Sequence, residues 1–392
     1  MPDFGCRRHP LPPCRHADAH VNDVSPLATR IGLIRVESFR NLQSVELHLA
    51  DGFNFFSGGN GAGKTSVLEA VHVLGHGRSF RTAQAGDLVR VGRERFSIFA
   101  ECRLGLAAAG HDTRLGLGWS RDGWTLRRNN EAVPILSDFV RNLPVVTLDP
   151  GSHELISGPS ELRRRFLDWL LFHVEPDFLS VWRRYARALR QRNAALRSPF
   201  GVSDRELSVW EKELVEAGTR VHDHRERLVS ELRTEFLPLL ASIAPGLPVE
   251  GIRLRSGWSS DTGLADALRE GRSSDRERGF TQRGPHRGDW RLQLGNGLDH
   301  DQLSRGQGKL AALTSLLAQA ALLRKHRGDW PVLSCDDLAA ELDDEHQARL
   351  LEWLSRTGAQ VLITGTSTLT LPTTAPPARM FHVEQGRIAQ LL

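Results

Sequence analysis

Lysine is nearly missing from this sequence: of 51 basic side chains in 392 residues only four are lysine, and the rest are arginine. Against them stand 47 Asp and Glu, for a net charge of +4. That excess is too small to identify a polyanionic partner, although a pI near 9.1 leaves nucleic acid open. Cysteine is as sparse. Cys6, Cys14, Cys102 and Cys335 lie far apart with no CxxC pair. This excludes a disulfide framework and points to reduced thiols in a reducing, cytoplasmic compartment. His9 and His16 lie near Cys6 and Cys14, but the spacing fits no standard zinc finger. Long apolar runs are absent too. The longest candidate, Leu310 to Leu323, is interrupted by Thr314, Ser315 and Gln319, and falls short of the roughly 18 apolar residues a membrane helix needs. What remains is an ordinary globular composition, 40% hydrophobic and 25% charged, long enough for two to three domains.

The first residues carry Pro2, Pro10, Pro12, Pro13 and Pro26 without apolar periodicity and without the apolar core of a secretory signal. Residues 1–29 therefore read as a disordered extension, or as the product of a misassigned start, with Val21, Val24 or Leu27 as alternative start positions. Alternation predicts strands at Ile31 to Val36 and Val45 to Leu49, joined by a polar turn at Ser38-Phe39-Arg40-Asn41. The aromatic run Phe53 to Phe56 predicts a short strand, and Ser66 to Leu74 a helix. Helix period continues from about Glu161 to Arg197, stops at Ser198-Pro199-Phe200-Gly201, and resumes from Ser203 to about Leu240. Two arms of some 37 residues, about 55 Å each, predict a helical hairpin projecting from the body. A helix from Gln307 to Arg324 and strands at Val332 to Cys335 and Gln360 to Thr364 complete an α/β pattern. The expected division is 30–158 for the first part of a catalytic lobe, 159–280 for the helical arm lobe and 281–392 for the rest of the catalytic lobe.

Between the aromatic strand and the first helix stands Gly58-Gly59-Asn60-Gly61-Ala62-Gly63-Lys64-Thr65, an uninterrupted GxxxxGK[ST] followed by Ser66. Successive N–H groups of such a loop converge on phosphate oxygens, the lysine reaches the β/γ-phosphates, and the threonine hydroxyl can hold Mg²⁺. The bland alternative is a glycine-rich turn with a chance lysine, which the strand before and the helix after disfavour. The loop calls for a second strand ending in aspartate. Pro331-Val332-Leu333-Ser334-Cys335-Asp336-Asp337 supplies it, with Asp336 expected at the metal and Asp337 orienting or deprotonating the attacking water. Asp337 is one methylene shorter than glutamate, so slow hydrolysis is expected. Upstream, Ser304-Arg305-Gly306-Gln307 opens a helix whose N-terminus can receive phosphate; alone it would be only a capped helix.

In this order, with Glu341-Leu342-Asp343 following, the motifs resemble an ABC-type ATPase head. The resemblance implies an α/β P-loop fold in which ATP joins the loop of one protomer to the signature segment of another, giving an ATP-dependent homodimer. Transport ATPases of this class lack a helical arm, and chromosome-structuring members carry coiled coils of hundreds of residues. The set Phe39-Arg40-Asn41-Leu42, Gly75-His76-Gly77-Arg78-Ser79-Phe80-Arg81, Gly158-Pro159, Arg163-Arg164-Arg165-Phe166-Leu167-Asp168, Gly284-Pro285-His286-Arg287 and Asp336 to Asp343 resembles the RecF family of bacterial recombination and gap-repair proteins from about Ile31 onward. Residues 1–29 are foreign to that pattern, and Ala340 stands where the family often has serine. Gly365 interrupts the last threonine run, which leaves a γ-phosphate switch role open between Thr364 and Thr366. The resemblance implies ATP-dependent binding of single-stranded and gapped DNA. It also implies action with RecO and RecR to load RecA, and support of replication and the SOS response. Arg40 and Asn41 are implied to border the nucleotide. A nuclease has no support, since no Ser/His/Asp or metal-ligand constellation appears.

Arginine placement supplies a DNA candidate. No acidic residue interrupts Asp177 to Asp204, where Arg183, Arg184, Arg187, Arg190, Arg192 and Arg197 fall. At 100° per residue Arg183, Arg187, Arg190 and Arg197 share one face, and Trp182, Tyr185, Ala186, Leu189 and Leu196 are expected to pack on another. Such a stripe could track phosphates, or it could be an ordinary solvated face. Arg78, Arg81 and His286-Arg287 are left between DNA, nucleotide and internal pairing.

Overall fold

The computed structural model describes residues 28–105, 112–259, 261–295, 300–366, 372, 375–376 and 378–391. The possible zinc ligands near the N-terminus lie outside these residues. Ala28 and Thr29, expected in a disordered extension, belong to the fold: Ala28 bridges Trp330, and the Thr29 hydroxyl donates to Asp329.

The chain first makes the hairpin of β1 (Arg30–Phe39) and β2 (Leu42–His48). Here the expected four-residue polar turn is corrected, because Phe39 is fully buried and paired with Leu42, leaving only Arg40-Asn41 as the turn. β3 (Phe53–Ser57) then leads into α1 (Lys64–His76). A meander of β4 (Phe96–Arg103), β5 (Thr113–Ser120), β6 (Gly123–Arg128) and β7 (Glu131–Ala132) follows, closed by α2 (Leu136–Val140). These strands join β1 and β2 in one antiparallel sheet of order β2-β1-β4-β5-β6-β7. Burial in β4 and β5 alternates, as expected for a sheet with one solvated face.

β8 (Val145–Leu148) enters a second sheet, and the helices α3 (Glu154–Ser157), α4 (Ser160–Val174), α5 (Phe178–Leu196) and α6 (Asp204–Ile243) come next. β9 (Val249–Arg255) and β10 (Asp289–Leu294) flank α7 (Leu264–Arg278) and pair with each other. The last stretch runs α8 (Arg305–Arg327), β11 (Val332–Cys335), α9 (Leu338–Glu341), α10 (Asp344–Thr357), β12 (Val361–Gly365), β13 (Ala378–Glu384) and β14 (Arg387–Gln390). The second sheet has the order β14-β13-β3-β12-β11-β8, parallel from β13 to β8. β8, β11 and β12 are buried throughout and β3 nearly so, which is why they read as apolar runs and not as alternation.

Two cores result. One lies between the two sheets and encloses the apolar residues of α1, from Val67 to Leu74. The other lies under the parallel sheet, where Leu317 and Leu322 of α8 meet Phe166 of α4 and Leu232 and Phe236 of α6. Among the described residues no helix is long and apolar enough to cross a membrane.

The helical segment differs from the expected pair of 55 Å arms. Glu161 to Arg197 is not one helix, because the chain breaks at Glu175-Pro176-Asp177 between α4 and α5. Proline has no N–H to donate and its ring clashes with the carbonyl four residues back, so α4 must end before it. α5 is therefore 19 residues, ~28 Å, against 40 residues in α6. Only the first part of α6 pairs with α5. The rest is core, and its Leu232, Phe236 and Ile243 are fully buried.

Candidate nucleotide cleft and arginine face

The C-terminal ends of β3, β12, β11 and β8 lie side by side, and the residues that follow them build the site. After β3 the loop needs glycine at two points. Gly58 has φ 153° and a Cβ there would sit 2.2 Å from the Val383 carbonyl; Gly63 has φ 117° and a Cβ there would sit 2.8 Å from Asn41 Nδ2. Both conformations exclude ordinary side chains. The Lys64 ammonium donates to the Gly58 and Gly59 carbonyls at 2.8 and 2.9 Å, curling back over its own loop.

At the end of β11 the Asp336 carboxylate accepts from the Thr65 hydroxyl at 2.9 Å and from the Thr364 hydroxyl at 2.7 Å. Residues 271 and 28 positions away in sequence thus meet at one oxygen. Burial pushes the Asp336 carboxyl above the ordinary aspartate value; the two hydroxyls oppose that shift, and neighbouring Asp337 adds to it. Asp337 adopts φ 50°, which aspartate tolerates better than most residues, and its N–H donates to Thr364 Oγ1 at 2.8 Å. Its half-buried carboxylate has no hydrogen-bond partner among the described residues. Gly365 ends β12 without a side chain to offer, so the hydroxyl that ties Asp336 to Asp337 is that of Thr364.

The donor set fits a hard divalent cation such as Mg²⁺. Thr65 and Asp336 offer oxygen only, and a buried carboxylate of this kind is stabilised by a cation beside it.

A cleft of about 750 Å³ opens over the loop, lined by Arg40, Asn41, Gly61 to Ser66, Arg81, Asp87, Val89 to Val91 and Gln385. Arg40 and Asn41 stand on its rim as structural braces. The Arg40 guanidinium grips the fully buried Glu69 of α1 with two hydrogen bonds, at 2.9 and 2.7 Å. Asn41 donates to the Gly61 carbonyl and accepts from Ser66 Oγ. Glu69 also accepts from Ser79 and lies near Arg81, so the Gly75 to Arg81 motif is tied to the same helix. Arg81 therefore faces the cleft, while Arg78 is exposed with no ion pair among the described residues. His286 is internal, held by Tyr185 and by the Thr281 carbonyl, and Arg287 lies over the Phe280 ring.

Some residues of this region escape sequence reasoning. Arg90 donates to the Asn41 carbonyl at 2.6 Å, and Gln385 reaches the cleft from the turn after β13. Neither carries a local signal. Asp149 does carry one, since it follows the apolar strand Val145–Leu148 just as Asp336 follows β11, and β8 and β11 are paired in register. Burial raises its carboxyl also.

Ser304, Arg305 and Gly306 are exposed at the start of α8, with Ser304 and half-buried Gln307 forming a reciprocal cap. None of them lines the cleft of their own chain. Lys309, one turn later, pairs with Glu341 of α9 at 2.8 Å.

On α5 the arginines divide. Arg183, Arg187, Arg190 and Arg197 are exposed on one side. Arg183 donates to Ser137 and Arg197 to the Gly279 carbonyl; Arg187 and Arg190 have no ion pair among the described residues. Arg184 is spent on Glu213 and Glu216 of α6. Arg192 is fully buried between Glu211 of α6 and Asp275 of α7, at 3.0 and 2.7 Å. The packing face is corrected accordingly: it is Phe178, Val181, Tyr185, Ala188, Arg192 and Leu196. Trp182, expected inside, is 40% exposed, and Ala186 and Leu189 are only half-buried. At 100° per residue the corrected face lies diametrically opposite the four exposed arginines.

Comparison with known proteins bears on most of the chain. The family model described as the RecF/RecN/SMC N terminal domain matches residues 30–389. The DNA replication and repair protein RecF of Xanthomonas axonopodis pv. citri is 46% identical over 360 residues, 91% of this chain and 97% of the relative. RecF of Coxiella burnetii is 39% identical over 366 residues, 92% and 99% of the two chains. Among solved structures, that of the recombination mediator protein RecF-ATP in the RecFOR pathway superposes with a TM-score of 0.83 at 25% identity, covering 95% of this chain and all of the other. The Smc head domain of Pyrococcus furiosus shares the fold at a TM-score of 0.56, with 93% of this chain covered.

Proposed function

Because the chain belongs to the RecF family of DNA replication and repair proteins, with the ABC-type P-loop ATPase head that this family shares with SMC proteins, we propose that it is an ATP-dependent DNA-binding protein of recombinational gap repair. The observation that carries the reading is the single oxygen of Asp336 held by Thr65 and Thr364, at the mouth of a glycine loop that ends in Lys64.

In this reading the triphosphate lies along Gly58, Gly59, Asn60, Gly61, Ala62 and Gly63, whose N–H groups receive its oxygens. Lys64 gives up the Gly58 and Gly59 carbonyls for the β/γ-phosphates, and Ser66 and Asn41 hold the loop in shape. Thr65 and Asp336 would hold Mg²⁺, which when bound neutralises developing phosphate charge. Asp337, with its unengaged carboxylate next to Thr364, positions the water and accepts its proton. Its short reach makes turnover slow, so that ATP acts as a switch. Ser304, Arg305, Gly306 and Gln307, remote from their own cleft, supply the phosphate-binding edge to a second copy. A head-to-tail homodimer then forms with ATP and relaxes after hydrolysis.

Arg183, Arg187, Arg190 and Arg197 hold the DNA backbone without reading sequence. RecR and RecO are the protein partners, RecA loading and SOS induction the outcomes, and the cytoplasm the place.

Sedimentation of the wild type and of Lys64→Ala, with and without ATP and gapped DNA, tests the reading. A nucleotide-dependent dimer in the wild type alone is expected, and the absence of any such dimer would overturn it.

A further inference from the structure

Phe200 is 97% exposed at the turn between α5 and α6. An aromatic ring in water forgoes the burial that normally holds such side chains inside, and the turn explains why this one cannot retreat. Pro199 presets the backbone at the second position, the Gly201 N–H closes the turn on the Ser198 carbonyl at 3.1 Å, and Gly201 takes φ 74°. Two residues later Ser203 and Glu206 cap α6 reciprocally. Phe200 is therefore presented on a short, hydrogen-bonded tip and makes no ring contact among the described residues.

Arginines flank the tip on both helices. Arg197 ends the exposed face of α5 and Arg205 opens α6, exposed and without an ion pair among the described residues. The nearby carboxylates are engaged: Asp204 by Arg272 and Arg276, Glu206 by the N–H and hydroxyl of Ser203. Arg183 to Arg197 spans ~21 Å along α5, the length of about six base steps, and points at the turn. A cationic track that ends on a lone exposed aromatic ring matches a polyanion whose flat apolar faces become accessible where the track ends.

We propose that Phe200 stacks on the first unpaired nucleobase where a duplex gives way to single strand, while the α5 arginines hold the adjoining duplex phosphates. Every base has a π-face, so this contact reads the end of pairing and not the sequence. The assignment rests on the DNA-binding reading of the α5 face.

The test uses the full chain with ATP, a duplex carrying a single-stranded extension with 2-aminopurine as its first unpaired base, and a blunt duplex of equal length. The wild type should quench the probe and prefer the junction. Phe200→Ala should lose the quench and about tenfold of the preference, whereas Phe200→Trp should keep both. Equal quench and preference in Phe200→Ala and the wild type would overturn the stacking role while leaving the arginine face intact. A wild type that binds neither DNA would overturn the DNA-binding reading and this inference with it. Loss of affinity for both DNAs in Arg183→Ala/Arg187→Ala/Arg190→Ala, with loss of the preference alone in Phe200→Ala, would support both.

Discussion

The nucleotide cleft and the packing between α5, α6 and α7 use the same chemistry to opposite ends. In the cleft, polar groups are braced from behind and left with capacity in front. Glu69 holds Arg40, Asn41 holds the loop, and Asp337 keeps a carboxylate unengaged among the described residues. Between these helices, the central groups are used up. Arg192 satisfies Glu211, Asp275 and the Thr281 hydroxyl, and Arg272 takes the rest of Glu211, so nothing is left for a ligand. An arginine on α5 is structural or available according to what the neighbouring helices present, although all five look alike in sequence.

The most severe test of this contrast is to remove the structural arginine. Arg192→Ala leaves Asp275 buried without its cation and Glu211 with Arg272 alone, and should cost about 3–5 kcal/mol, read from the urea midpoint. Arg187→Ala, on the opposite side of the same helix, should leave that midpoint unmoved. Equal shifts would erase the distinction between the two faces.

On the cleft side, Asp337→Ala should retain ATP binding and lose about 10²-fold or more in turnover, in single-turnover measurements. Unchanged turnover would show that this carboxylate is idle.

A third expectation concerns pH. Behind the cleft His72 and His76 stack at 3.9 Å, and Trp169 links His76 to His173, whose ring nitrogens have no hydrogen-bond partner among the described residues. Burial holds all three below the ordinary histidine value, His76 down to about 4, and Arg78, Arg141 and Arg327 nearby act in the same direction. In the unfolded chain these rings take protons near pH 6.5, while the folded chain resists them. Their contribution is therefore complete above about pH 6.5 and is lost as pH falls toward 4. Denaturation midpoints at about pH 7.5, 5.5 and 4.5 should fall in that order, and His173→Phe should flatten the trend.

The smallest effects lie on the α5 surface. Each guanidinium removed at Arg183, Arg187 or Arg190 should reduce the slope of log affinity against log salt by about 0.9. Arg184→Ala should change neither slope nor stability measurably, because the two pairs it removes, with Glu213 and Glu216, are exposed. A slope unchanged by the triple substitution would take those arginines out of the interface.

How much of this is legible in the sequence follows the same division. The strand, glycine loop and helix from Phe53 to His76 can be read directly, since each residue's role depends on its immediate neighbours. β11 with Asp336 is legible for the same reason. The break at Pro176 is equally local, but the helix period on either side of it makes α4 and α5 look like one arm. The pairing of Arg192 and the exposure of Trp182 have no local signal. Glu211 and Asp275 arrive from α6 and α7, 19 and 83 residues away from Arg192.

Sequence alone suffices for the phosphate loop, the aspartate strand that completes it, and the family to which they belong. A phosphate is gripped by consecutive backbone N–H groups, and that grip can be encoded only in consecutive residues. Packing settles the rest: which arginines remain available, that Thr364 bridges Asp336 to Asp337, and that Arg40 braces Glu69. Ion pairs and hydroxyl bridges form between whatever side chains come within about 3 Å, and that proximity exists only after the helices and strands have docked.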